Sequence, residues 1–220
     1  MTLTRRSLTL ALAAAPLVAA PLAGPAFAAR PQIAPLSAGD RELVDRAAAY
    51  LQALSEATGR FVQTDARGNS TKGELFLKRP GKARFAYDPP SNLLVVADGA
   101  NVSIANPKLK TFDRYPLMAT PLSIFLARQI RFDKGIVISN VSRTPGGFAI
   151  TARDGRKEAE GQITLSFADD PLVLTGWTVS DAQGQSTRIR LDGLQRTSGL
   201  ASSLFVLNDP RPKNPGRARM

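Results

Sequence analysis

The chain has 220 residues, of which 43% are hydrophobic, and a formal net charge of +11; this length suits one domain with a sizeable core and is short for two. It contains no cysteine and no histidine. A disulfide framework, a thiolate nucleophile, a lipid attached through a lipobox cysteine, a Ser-His-Asp triad and imidazole metal ligands are therefore excluded, whereas carboxylate-based or lysine-based chemistry is not.

Residues 1–28 have the pattern of a secretory signal peptide. Arg5 and Arg6 precede an apolar stretch over residues 8–23, and a small-residue cleavage site ends at Ala28. We expect cleavage there rather than an uncleaved anchor, because prolines and a glycine interrupt the stretch before the roughly 20 apolar residues that a span needs. The arginine pair fits twin-arginine export, and Sec export fits as well. The chain remains strongly basic after cleavage, which favours acidic partners or anionic headgroups; no nucleic-acid motif accompanies the charge.

A Pro-containing linker is predicted over residues 29–39, followed by an amphipathic helix from Asp40 that ends near Gly59. The helix is predicted either to pack in the core or to act as a lid over the apolar face of a sheet. Apolar side chains recur in it at helical spacing, namely Leu43, Ala47, Tyr50, Leu51 and Leu54.

From Phe61 onward, strand-forming runs alternate with Gly, Pro, Asp and Asn turn signals. They predict a mainly β (α+β) protein with a few helices, built on one large curved antiparallel sheet of about eleven strands, the last at Leu204–Leu207. The folded domain is predicted over residues 40–208, with a basic disordered tail over 209–220. Since side chains alternate along a strand, two rows are predicted to share the apolar face: Leu75, Leu77 and Arg79 in one run, and Ala83, Phe85 and Tyr87 in the next.

A short helix is predicted between the strand runs, with Thr120 as its N-cap and Pro121 at its first helical position. Leu122, Phe125 and Leu126 would share one of its faces. Because so short a helix is not stable alone, it should lie on the sheet.

Asp169 and Asp170 form the chain's clearest carboxylate pair. They could serve as metal ligands or as a general acid and base, but Pro171 follows them between two strands, which favours turn chemistry. No metal site is predicted. Trp177 lies in a strand with Leu174 and could pack in either a cavity or the core.

Four motifs occur in an order that resembles the LolA family of periplasmic lipoprotein carriers, over roughly residues 61–205. They are Gly73-Glu-Leu-Phe-Leu-Lys-Arg-Pro-Gly-Lys82, Asp88-Pro-Pro90, Val95-Val-Ala-Asp-Gly99 and Thr120-Pro-Leu122. The resemblance implies an unclosed β-barrel covered by helices, with lipoprotein acyl chains held in the apolar cavity between them. It implies no cofactor. Together with the shared face, it places a set of side chains around the acyl chains: Leu75, Leu77, Phe85, Tyr87, Leu93, Val95, Leu122, Phe125, Leu126 and Trp177.

Arg79 matches the family's arginine that is implicated in holding the lid closed. A guanidinium has five fixed donors, and the terminal carbonyls of a helix need partners. The alternative is an edge-strand arginine paired with a carboxylate. Pro121 and Ala83 are predicted at the cavity mouth; Ala83 stands where the family usually has an aromatic residue, which leaves either a wider mouth or a gap filled by neighbours such as Phe85 and Phe125.

The resemblance implies a monomeric periplasmic carrier without catalysis. Its implied partners are acylated lipoproteins, an inner-membrane Lol ABC transporter as donor, and an outer-membrane acceptor that is either a receptor or the membrane itself. Two alternatives stay open at this point. A lipid-sensing or interaction module on the same fold would be expected to have a second domain, and a carboxylate-based hydrolase would need a pair of acids placed outside turns.

Overall fold

The computed structural model describes residues 35–132, 135–155 and 161–209. The predicted signal peptide, most of the linker and all but the first residue of the basic tail lie outside these ranges. None of the helices within them is long and apolar enough to span a membrane. The helices are α1 (Ala38–Ala53) and α2 (Leu122–Leu126), with 3-10 turns at Leu117–Ala119 and Ser202–Phe205. The strands are β1 (Glu56–Thr64), β2 (Ser70–Lys78), β3 (Lys82–Tyr87), β4 (Leu94–Asp98), β5 (Asn101–Asn106), β6 (Thr111–Pro116), β7 (Ile136–Thr144), β8 (Gly147–Asp154), β9 (Gln162–Ala168), β10 (Val173–Ser180) and β11 (Ser186–Arg196).

All eleven of these strands belong to one antiparallel sheet, in the order β6-β5-β4-β3-β2-β1-β11-β10-β9-β8-β7. Strand β1 pairs with both β2 and β11 and so joins two meanders into one surface. In the described part of the chain, β6 and β7 are the two edges and do not pair with each other. The prediction of one unclosed antiparallel sheet with a few helices is therefore confirmed.

The inner face of the sheet carries the hydrophobic core. Buried residues alternate with less buried ones along β3, β9 and most of β8, as period-two alternation requires of a sheet with one covered face. The predicted apolar rows lie on this face, since Leu75 and Leu77 are buried in β2 and Ala83, Phe85 and Tyr87 in β3. Helix α1 covers part of it with Leu43, Ala47 and Leu51.

Helix α1 is shorter than predicted. It ends at Ala53, and Gly59 lies within β1, where it pairs with Leu75. The register between β1 and β11 shifts at this point, and a Cβ on Gly59 would lie 3.1 Å from the Cα of Leu194. The glycine therefore permits a close approach of two strands and does not stop the helix.

Two further predictions of local structure are wrong. The Thr120 hydroxyl donates to the Leu117 carbonyl at 2.8 Å, so it does not cap α2, which begins at Leu122. Residues 204–207 form no strand, and the first two of them belong to the 3-10 turn Ser202–Phe205. Instead this segment crosses the outer face, where Phe205 is buried and Arg84 donates to the Leu204 carbonyl at 3.0 Å.

The two ends of the sheet differ. Three side chains at the ends of β7, β9 and β2 contact α1: Arg143 pairs with Asp40 at 2.6 Å, Asp169 pairs with Arg46 at 2.6 Å, and Arg79 reaches the Leu51 carbonyl. All three lie at the same end of the antiparallel sheet, which we call the lid end. The opposite end holds the β1–β2, β3–β4, β5–β6 and β10–β11 turns, and we call it the open end.

Candidate functional site

An apolar cavity of about 320 Å³ lies on the inner face of the sheet toward its open end. Strands from both meanders and the segment that leads into α2 form its wall. The described residues that line it are Gln63, Phe85, Tyr87, Leu93, Val95, Ile104, Thr120, Pro121, Leu122, Trp177, Val179, Thr187 and Ile189. None of them is charged, so the wall suits a hydrocarbon ligand.

Aromatic rings close the cavity on the side of the lid. Phe85 and Trp177 are buried and meet edge to face with ring centroids 6.0 Å apart. Phe125 of α2 lies against Trp177 at 5.3 Å. Toward the open end, Leu93 and Val179 are only half-buried. We call these two residues the mouth of the cavity.

Tyr87 contributes a polar group to the cavity without contributing a charge. Its hydroxyl donates to Oε1 of Gln63 at 2.5 Å. Burial raises the pKa of Tyr87 to about 12, because the phenolate would lose its hydration. The phenol is therefore neutral at physiological pH.

The predicted ligand residues separate into two groups. Phe85, Tyr87, Leu93, Val95, Leu122 and Trp177 line the cavity, and so does Pro121. The remaining four are packed in the core and at most 2% exposed: Leu75, Leu77, Phe125 and Leu126. They lie outside the lining because the inner face toward the lid end is filled by α1 and α2, which leave no space beside them.

Ala83 does not lie at the mouth. It is 2% exposed and sits in β3 between Leu77 of β2 and Ala97 of β4, toward the lid end of the sheet. This position is part of the packed core, which favours the alternative in which neighbouring side chains fill the space left by the missing aromatic ring.

Arg79 joins the ends of the two helices. Its Nη1 donates to the Leu51 carbonyl in the last turn of α1 and lies 3.5 Å from the Leu54 carbonyl, while Nη2 donates to the Ala127 carbonyl just after α2 at 2.6 Å. The Leu51 carbonyl also accepts from the Leu54 N–H at 3.1 Å, and all three carbonyls lie at helix C-terminal ends, where carbonyls need partners from outside the helix. We call this set of contacts the latch.

The latch binds carbonyls rather than a carboxylate. No basic residue occupies the last turn of α1, so the guanidinium supplies the positive charge that the negative end of the helix dipole favours. Burial lowers the pKa of Arg79, and its Nε is buried without a hydrogen-bond partner. An incompletely paired buried cation has a smaller net gain from its contacts.

Gln52 makes a second set of hydrogen bonds between α1 and the segment that follows α2. Its Nε2 donates to the Arg128 carbonyl at 3.3 Å, and its Oε1 accepts from the Ile130 N–H at 2.9 Å. In addition, the Gly81 N–H donates to the Leu126 carbonyl at 2.8 Å. Both helices are therefore held on the sheet by polar contacts at their C-terminal ends.

Sequence reasoning missed several lining residues. Thr187 and Ile189 alternate with the exposed Arg188 and Arg190 in β11, so the same parity rule could have found them. No signal in the sequence marked Gln63, because a strand glutamine is more often a surface residue.

The carboxylate pair belongs to a turn. Asp169 accepts from Arg46 at 2.6 Å and is half-exposed, and its N–H donates to the Gly146 carbonyl. Within the described ranges, no group of three or more carboxylates is arranged to hold a metal ion. These contacts favour the interpretation of the aspartate pair as turn residues over metal ligands or a general acid and base.

Comparison with known proteins finds a matching family model, relatives in sequence and similar solved structures. The family model described as outer membrane lipoprotein carrier protein LolA matches residues 52–208. The outer-membrane lipoprotein carrier protein of Methylobacillus flagellatus is 27% identical over 172 residues, which cover 74% of this chain and 82% of that protein. The protein of the same name in Pseudomonas syringae pv. syringae is 27% identical over 193 residues, covering 78% and 86%. Among solved structures, the LolA superfamily protein NE2245 from Nitrosomonas europaea is 9% identical, with a TM-score of 0.43, covering 76% of this chain and 97% of that one.

Proposed function

The chain belongs to the LolA family of outer membrane lipoprotein carrier proteins, and we propose that it binds the acyl chains of lipoproteins released from the inner membrane and carries them across the periplasm to the outer membrane. The proposed activity is binding and release without catalysis. The observation that carries the proposal is an uncharged apolar cavity beside two helices that one arginine fastens to the sheet.

The cavity is small for its proposed cargo as it stands. Its volume of about 320 Å³ lies at the lower end of the roughly 300 to 1,000 Å³ of sites that bind small molecules. A triacylated lipoprotein would bring three long acyl chains. Loading therefore requires α1 and α2 to move away from the inner face, which would add Leu75, Leu77, Phe125 and Leu126 to the cavity wall.

A closed empty state protects the protein itself. A permanently open apolar cavity would invite association with other proteins and membranes, whereas the closed lid buries that surface. Burial of a bound acyl chain contributes about 0.8 kcal/mol of binding free energy per methylene. In this scheme loading breaks the Arg79 contacts, and release allows them to form again.

The direction of transfer must come from the partners. The chain has no nucleotide-binding motif, so the proposed donor is an inner-membrane Lol ABC transporter, and the acceptor is an outer-membrane receptor or the membrane. We further propose that the protein is exported with cleavage after Ala28, by the Sec or twin-arginine route, and acts as a monomer.

Titration with a fluorescent long-chain fatty-acyl probe tests the proposal. We expect saturable binding, because the inner face has a finite apolar site, and we expect palmitate to displace the probe. Hexanoate is the matched control, since its shorter chain buries fewer methylenes and should compete far more weakly. Absence of saturable binding by the folded protein, or equal competition by the two acids, would contradict an acyl-chain cavity.

A further inference from the structure

The β5–β6 turn holds an apolar side chain outside the protein. Leu109 is 71% exposed, the most exposed large hydrophobic residue in the described ranges. The Asn106 side chain accepts from the N–H groups of Lys108 at 3.1 Å and Leu109 at 3.2 Å. This pairing orders the turn, so the leucine projects between two lysines. We call Lys108, Leu109 and Lys110 the Leu109 tip.

The surface beside the tip is basic and polar. Lys72 and Lys108 border the same surface depression, together with hydroxyl groups of Ser70, Thr71 and Ser91. The depression's one carboxylate, Asp88, forms an ion pair with Arg60. In the described part of the chain, Lys72, Lys108 and Lys110 have no carboxylate partner.

The other carboxylates in the open-end turns accept hydrogen bonds from backbone N–H groups of their own turns. Asp65 accepts from the N–H groups of Arg67 and Asn69, and Asp181 accepts from those of Gln183 and Gln185. The β10–β11 turn lies beyond β1 from the β5–β6 turn. Lys72, Lys108 and Lys110 are exposed, so these cations face solvent.

The tip lies at the same end of the sheet as the cavity mouth. Strand β5 runs toward the open end, with Ile104 in the cavity wall and the tip beginning four residues further on. The β3–β4 turn, next to the mouth residue Leu93, borders the same depression as Lys108. A surface that receives the tip would thus meet the mouth as well.

We propose that the Leu109 tip docks the protein on an anionic lipid bilayer. Leu109 inserts at the boundary between headgroups and acyl chains, while Lys72, Lys108 and Lys110 contact headgroup phosphates. A lone apolar side chain among cations suits a membrane interface, where long cationic side chains keep their charge in the headgroup region. A protein partner would require a broader apolar core on this surface. One leucine and three lysines give weak, reversible attachment. The further claim, that this attachment delivers cargo, rests on the proposed function.

Co-sedimentation with phosphatidylglycerol-containing and pure phosphatidylcholine vesicles tests the docking. We expect binding to the anionic vesicles that weakens with salt. A double variant, Lys108→Gln with Lys110→Gln, should lower it about 30-fold, since each lysine near such a surface contributes about fivefold. Leu109→Ser should lower it about tenfold. The controls lie away from the tip. Lys82→Gln with Arg128→Gln, at the lid end, matches the double lysine variant. Val206→Ser matches Leu109→Ser, because Val206 is 57% exposed on the outer face.

The outcomes separate docking from acyl binding. The tip lies outside the cavity lining, so its variants should bind the acyl probe as the unchanged protein does. Loss of vesicle binding by the tip variants but not by the controls supports the docking, whatever the probe shows. Equal binding to both vesicle types, no binding to either, or equal losses in tip and control variants would overturn it. Failure of probe binding alone would count against the carrier function instead.

Discussion

Arg79→Leu is expected to leave the protein folded and able to accept a lipoprotein, but to slow its release to outer-membrane vesicles by about tenfold to 100-fold. The substitution removes the donors to the Leu51 and Ala127 carbonyls. Hydrogen bonds from a charged group contribute about 1.5 to 3 kcal/mol, and this contribution exists only when the lid is closed. Its loss shifts the population toward open and loaded forms. Release of the lipoprotein ends in the closed state, so weakening that state makes release less favourable.

Two variants make the measurement specific. Arg79→Lys should restore release only partly, because an ammonium group cannot span two carbonyls as the planar guanidinium does. Arg84→Leu is the matched control, since Arg84 also donates to a backbone carbonyl, that of Leu204, but on the outer face of the sheet. Normal release by Arg79→Leu, or the same slowing by Arg84→Leu, would reject the latch.

Val95→Asp is expected to weaken binding of the acyl probe by at least about tenfold at neutral pH. Val95 lies in the cavity wall, paired with Phe85 of β3 and Ile104 of β5. A carboxylate there must lose hydration when a hydrocarbon chain lies against it, and burying an unpaired polar group costs about 1 to 3 kcal/mol or more. Val95 is half-buried in the closed state, so the protein should remain folded.

Val62→Asp provides the control for this variant. Val62 is also a half-buried strand valine, but it pairs with Arg190 and Lys72 on the outer face. The same change there should leave probe affinity unaltered, with both melting temperatures measured to confirm folding. Equal affinities for the two variants would mean that the acyl chain does not occupy the inner cavity.

The inward rows of the sheet could be predicted because alternation is a local property. Leu77 and Val95 both follow from it, yet only Val95 lines the cavity, while Leu77 is fully buried. The difference depends on where α1 and α2 lie along the strands. That position is set by contacts between residues far apart in sequence, such as Arg79 with Ala127, which no local pattern reveals.

The wrong predictions at Gly59 and at residues 204–207 have the same physical origin. Gly59 has the composition of a helix stop, but the close approach of β11 places it in a strand. Residues 204–207 have strand propensity, but Phe205 is buried on the outer face and Arg84 donates to the Leu204 carbonyl there. In both cases tertiary contacts override propensity. The role of Arg79 was suggested by family resemblance, and its carbonyl partners come from the structure.

Mass spectrometry of the protein purified natively from the periplasm tests the proposed carrier function most directly. If the protein carries lipoproteins, acylated proteins should co-purify with it, and more should be retained by Arg79→Leu than by the unchanged chain. The retained cargo should fall in Val95→Asp and stay unchanged in Val62→Asp. Recovery of the folded protein and of Arg79→Leu without any acylated protein would contradict the carrier function.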